Sequence, residues 1–198
     1  MTFRAILFVA LAFSLAGCGT DRQVVDNDGA VDPGSDGAVP GSDAAVPAID
    51  AFMSGSDPLN AAPICTSNRM WRLGNLGSAA MNPGLACNAC HLTQRRAPLF
   101  TAAGTVYPTG HEPDLCNAPN LGTQVTIELH DASGNSATIS PNSVGNFYYQ
   151  GTLTPPLTAS VHYMGRTRTM TTPATSGDCN SCHTQDGTMS APGRITLP

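Results

Sequence analysis

The chain has 198 residues, with 9 Lys+Arg against 14 Asp+Glu, a formal net charge of -5, 41% hydrophobic and 6% aromatic residues, which is enough for one domain plus extra segments. All nine basic residues are arginines scattered singly or in pairs, so no basic stripe follows a phosphate backbone and nucleic acid is excluded as a partner. The 20 Gly and 16 Pro favour turns and loops and argue against a helical bundle.

In chain order, the first element is a leader. Arg4 precedes an apolar run that ends in small residues just before Cys18, the pattern of an export signal over residues 1–17. The run is too short to span a bilayer as a helix. Leu15, Ala16, Gly17 and Cys18 resemble a bacterial lipobox, which implies lipidation of Cys18. Gly19 stands where an inner-membrane retention Asp would be, so the resemblance implies the outer membrane, on its periplasmic or cell-surface face.

Residues 18–57 read as an acidic tether. From residue 21 on it holds eight Asp, one Arg and quasi-repeating Asp-Gly-Ala-Val fragments, with too little apolar surface to offset the entropy of ordering. About 40 residues of flexible coil reach roughly 35 Å. A calcium-binding repeat would want a closing Glu, and the segment contains none. Residues 58–198 then carry six acids against seven Arg, so the acidic balance belongs to the tether.

Two Cys-x-x-Cys-His motifs follow, Cys87, Cys90 and His91, then Cys179, Cys182 and His183. The spacing places two thiols about one helical turn apart, toward the two vinyl groups of one porphyrin edge, with the next residue directed at the iron. Two matches in a chain of this composition are not accidental. A shared zinc site is the competing reading, but the motifs are far apart in sequence and an exported protein is a poor home for four thiolates. A thioredoxin-type redox site expects a βαβ pattern, and none is visible.

With both motifs in place, the chain resembles an exported di-haem c-type cytochrome lipoprotein. The resemblance implies two covalent haem c groups, on Cys87 with Cys90 and on Cys179 with Cys182, and axial ligation by His91 and His183. It departs from a monohaem cytochrome c, where one motif opens a helical domain and a Met follows later. The sixth ligands stay open. His111 lies in a Pro-bracketed loop that could present an imidazole or leave it solvated; His130 falls on the polar face of a strand-like run, and His162 lies in another. Met170 and Met81 stand shortly before the second and first motif, as ligands or as packing residues. His111 and Met170 are the expected iron ligands.

Between the motifs, residues 124–130, 137–140, 146–150 and 159–164 read as short strands separated by turn signals. The expected fold is mainly β with irregular haem-binding loops and short helices, a small β-sandwich-like segment over about 122–165 being flanked by the two motifs. This segment resembles a transthyretin-like, carboxypeptidase-regulatory β-sandwich and is expected to act as a rigid spacer. Cys65 and Cys116 remain after the other cysteines are assigned; in an oxidising compartment they form a disulfide, or stay as two buried thiols. Arg194 pairs a haem propionate or is a plain loop arginine. The expected function is electron transfer between redox partner proteins, without catalysis, the lipid on Cys18 holding the protein at a membrane. The alternatives are a di-haem peroxidase-like enzyme and a haem-bearing adaptor that binds a protein or glycan through its β segment. The oligomeric state is left open.

Overall fold

Runs of β-branched and aromatic residues punctuated by Gly, Pro, Asn and Asp fold as strands where they can bury one face. The computed structural model describes residues 57–94 and 97–198, so the leader, Cys18 and all of the tether but its last residue lie outside the described residues. Among the latter are β1 (Ala102–Tyr107), β2 (Val125–Asp131), β3 (Ser136–Ile139), β4 (Asn146–Tyr149), β5 (Leu157–Tyr163), β6 (Arg166–Thr169) and β7 (Ile195–Thr196). Among the described residues, helix is confined to a five-residue α1 (Cys87–His91) and three 3-10 turns. The protein is mainly β, as composition and pattern predict.

One sheet has the order β4-β1-β7 and the other β3-β2-β5-β6. In β2 burial alternates strictly, so Val125, Ile127 and Leu129 face inward while Thr126, Glu128 and His130 face out, the period of a half-buried strand. β2 pairs antiparallel with β5, Ile127 opposite Val161 and Glu128 opposite Ser160. The inward residues of both strands share a core with Ala102, Val106 and Phe147 of the other sheet. Each such aliphatic or aromatic side chain contributes about 1.5–3 kcal/mol by leaving water.

The four strands predicted between the motifs coincide with β2 to β5 to within two residues at every end. Three others escape local pattern. β1 is buried along its whole length, as the central strand of its sheet, and its small residues show no alternation. β6 reads Arg-Thr-Arg-Thr, a polar edge strand without an apolar face. β7 is two residues long and pairs parallel with the end of β1.

The β2–β3 turn rests on Asp131, whose carboxylate accepts from the backbone N–H of Ser133, Asn135 and Thr154 and from Asn135 Nδ2 at 2.8–3.1 Å. Those bonds, led by the Asn135 side chain, hold the Asp131 carboxyl down at about 2, from 3.8. Because the folded value is depressed, the stability it contributes is present above pH 3.8 and lost as pH falls through about 2. Acid titration of unfolding should therefore show a smaller loss of stability across that window in Asp131→Asn than in wild type, and equal slopes would remove Asp131 from the account.

Of the two states open to Cys65 and Cys116, the disulfide is realised, closing a separation of 51 residues. By the chain-entropy relation this contributes about 4 kcal/mol. It ties the segment before the first motif to the loop after β1.

Candidate functional site

The two Cys-x-x-Cys-His segments, far apart in sequence, pack against each other on β1. The first forms α1. Its N-cap, Ala86, offers no side-chain acceptor, and the orphan N–H groups of Cys87 and Ala89 are taken instead by the carboxylate of Asp178, both at 2.9 Å. Asp178 is 6% exposed and immediately precedes Cys179. The second motif begins as a 3-10 turn, Cys179–Ser181, laid against β1. A Cβ on Gly104 would stand 3.0 Å from Cys179 Cβ and 2.8 Å from the Phe147 ring, so only glycine permits this approach. Asp178 and β1, both outside the 122–165 segment, bring the two motifs together.

The residue after the first cysteine is Asn in both motifs; Asn180 fastens its motif to β1, and Asn88 fastens its motif to the segment just before β1. Asn88 brackets Phe100, donating Nδ2 to its carbonyl at 2.7 Å and accepting its N–H at 2.9 Å. Asn180, 2% exposed, accepts from Thr105 N–H at 3.0 Å and donates to the Leu85 carbonyl at 3.0 Å. Thr105 in turn donates to Asn146 Oδ1, whose amide donates to the Met81 carbonyl at 2.9 Å. The repeated Asn was legible in the sequence as a shared spacer residue; its partners were not.

The five histidines divide by what their ring nitrogens meet. His91 Nδ1 lies 2.6 Å from the Pro98 carbonyl and His183 Nδ1 2.9 Å from that of Gly193. Each thus carries its proton on Nδ1, and neither Nε2 has a partner among the described residues. A backbone carbonyl on Nδ1 is the arrangement that orients an imidazole for metal ligation through Nε2. Burial holds His183 below its ordinary pKa, against the Gly193 hydrogen bond, which keeps the ring neutral. The other three have Nε2 engaged: His111 with the Leu59 carbonyl at 2.9 Å, His130 and His162 with Glu128. His111 also meets the Gln185 carbonyl through Nδ1 at 2.7 Å, so ligation by His111 requires freeing a nitrogen. It does stand beside the second motif.

Cys87, Cys179 and Cys182 are free thiols, and Cys90 is disulfide-bonded. Burial first, then the Asp178 charge, pushes both Cys87 and Cys179 up to about 12. The Cys87 thiol adds to the cost of ionising Cys179, and both are neutral thiols at physiological pH.

Beside the first motif lies a cavity of about 540 Å³ whose walls include Cys87, Cys90, His91, Met81, Phe100 and Tyr148. Its size is that of a cofactor or drug-sized ligand site. The His91 and Phe100 rings stand 5.3 Å apart and Phe100 and Tyr148 4.9 Å, forming an aromatic row. Both cysteines, the imidazole and a thioether thus meet one largely apolar space, and these residues fit a haem there. Met81, held by Asn146, is the methionine brought to this space. Met170 continues β6 beside Ala159, to whose carbonyl its N–H donates at 2.8 Å, on the four-stranded sheet, while the second motif packs on the other.

Arg194, just before β7, is not an exposed loop arginine. It is 1% exposed and donates to the carbonyls of Glu112, Gly84 and His183 at 2.9, 2.8 and 3.3 Å. It also pairs with Asp114 and lies 5.5 Å from the centre of the Tyr107 ring. Asp178 and Arg194 together join the segments around both motifs, and no local pattern announced either. No helix among the described residues is long and apolar enough to cross a membrane. No family model matches the chain, and neither a curated protein nor a solved structure matches it.

Proposed function

We propose that this chain is an exported, lipid-tethered di-haem c-type cytochrome that carries electrons between redox partner proteins. The observation that carries the reading is the division of the histidines: the two that follow a Cys-x-x-Cys pair are the two whose Nδ1 rests on a backbone carbonyl and whose Nε2 is uncommitted among the described residues. Cys87 and Cys90 with His91, and Cys179 and Cys182 with His183, would hold two haem c groups. When bound, haem c supplies reversible one-electron uptake and release at iron.

The chain's own residues do the rest. The carbonyls of Pro98 and Gly193 keep each imidazole in the tautomer that offers Nε2. Phe100 and Tyr148 line the first site with aromatic surface, while Asn180 fixes its motif to β1 and Asn88 fixes the other to the segment just before it. Asp178 joins the two motifs directly. Met81 lines the first site's cavity, and Met ligation there would raise its potential relative to His. The β segment and its transthyretin-like pattern then serve as scaffold, and Cys18 as the anchor to the outer membrane.

A pyridine haemochrome assay with intact mass, on the full chain made alongside c-type maturation machinery, tests the reading. Two haems per chain that resist acid-acetone extraction are expected, falling to one in a Cys179→Ala, Cys182→Ala double variant. A chain without covalent haem overturns it.

A further inference from the structure

His130 and His162, both open as haem ligands in the sequence, meet instead over Glu128 on the outer face of the four-stranded sheet. His130 Nε2 stands 3.3 Å from Glu128 Oε1 and His162 Nε2 3.2 Å from Glu128 Oε2. Glu128 and His130 are two apart on β2 and so share a face. Glu128 lies opposite Ser160, which places His162 diagonally across from it on β5, within reach of a long side chain. One carboxylate therefore offers an oxygen to each of two imidazoles, and both imidazoles turn Nε2 inward.

The geometry points to a binding site for a divalent transition-metal ion held by His130, Glu128 and His162. Imidazole with carboxylate is the donor set that suits zinc, copper, nickel and iron. Two ligands each about 2.1 Å from one ion stand roughly 3–3.5 Å apart, the separation already seen between each Nε2 and its oxygen. Thr167 Oγ1 lies 3.0 Å from His162 Nδ1, the outer hydrogen bond that orients a ligating histidine. The strand positions facing Glu128 across the sheet are Thr138 and Ser160, neither of them cationic.

The three donors do not all lie within 4.8 Å of one another; among the described residues only Cys65, Glu112 and Cys116 do, and there both sulfurs are spent in the disulfide. Closing on an ion takes movement of the His130 imidazole, whose side chain is 44% exposed, toward His162, which Thr167 and Glu128 hold. The site is separate from the Cys-x-x-Cys-His motifs and does not depend on haem.

Calorimetric titration of the full chain with Zn²⁺ tests this, with Co²⁺ absorption as a second readout. Glu128→Gln and His162→Ala chains, checked for unchanged circular dichroism, should each bind one ion fewer than wild type or bind it at least tenfold more weakly. Thr167→Val should weaken the same ion by roughly tenfold. The Co²⁺ lost in these variants should show ligand-field bands without thiolate charge transfer. Zn²⁺ uptake that is absent in wild type, unchanged by Glu128→Gln and His162→Ala, or removed entirely by Cys182→Ser overturns the proposal.

Discussion

Replacing Arg194 by Met should lower the free energy of unfolding by about 3–5 kcal/mol, the cost of breaking a buried, fully hydrogen-bonded charge site by removing one partner. The guanidinium side chain is 0% exposed and satisfies three main-chain carbonyls, those of Gly84, Glu112 and His183. Met fills much of the volume but leaves those carbonyls without donors in a dry environment, at about 1–3 kcal/mol each before relaxation. Arg194→Lys should fare little better, since one ammonium cannot reproduce the planar fork that reaches several acceptors. Asp114→Asn is the contrasting case. Its side chain is 58% exposed, and exposed ion pairs contribute about 0–1 kcal/mol. Urea denaturation of the three variants checks the ordering; a loss below about 1 kcal/mol in Arg194→Met would show that the segments around the motifs hold together without it.

Asp178→Ala should cost about 2–3 kcal/mol and act on the distant first motif as well as on its own. Two N–H donors at the start of α1 lose a charged acceptor, and hydrogen bonds to charged groups contribute about 1.5–3 kcal/mol each. A helix of five residues cannot hold itself together, and α1 has no cap of its own. The first motif should therefore lose its helical spacing when Asp178 is removed. Asp178→Asn keeps one acceptor oxygen but turns an amide NH₂ toward the second donor, so an intermediate loss is expected. Peptide mapping of the attached cofactor distinguishes the motifs: reduced loading at Cys87 and Cys90 is the expected result, and a defect confined to Cys179 and Cys182 would assign Asp178 to its own motif alone.

Both effects rest on contacts between residues far apart in the chain, and that separates what was legible from what was not. The two Cys-x-x-Cys-His motifs, the mainly β character and the strands from residue 124 to 164 were readable in the sequence. Their signals are local: fixed spacing in one case, a period of two bounded by turn formers in the other. The Asp131 turn is of this kind, every acceptor bond but that from Thr154 falling within four residues. β1 was hidden because a strand buried on both faces carries no alternation, and Arg194 because an arginine near a Pro-Gly pair looks like surface loop until a fold closes over it.

What the amino-acid sequence by itself determined is the chemistry available, two pairs of cysteines each followed by an imidazole, and the local turns and strands. The tertiary structure alone decided which groups meet. It set Asp178 under the first motif, turned His91 and His183 onto carbonyls, brought Met81 to the cavity and paired His130 and His162 through Glu128. For Asp178 and Arg194 the physical reason is the same: a buried donor or acceptor must find a partner wherever the fold supplies one, and partners that come from across 89 to 110 residues leave no trace in a local pattern.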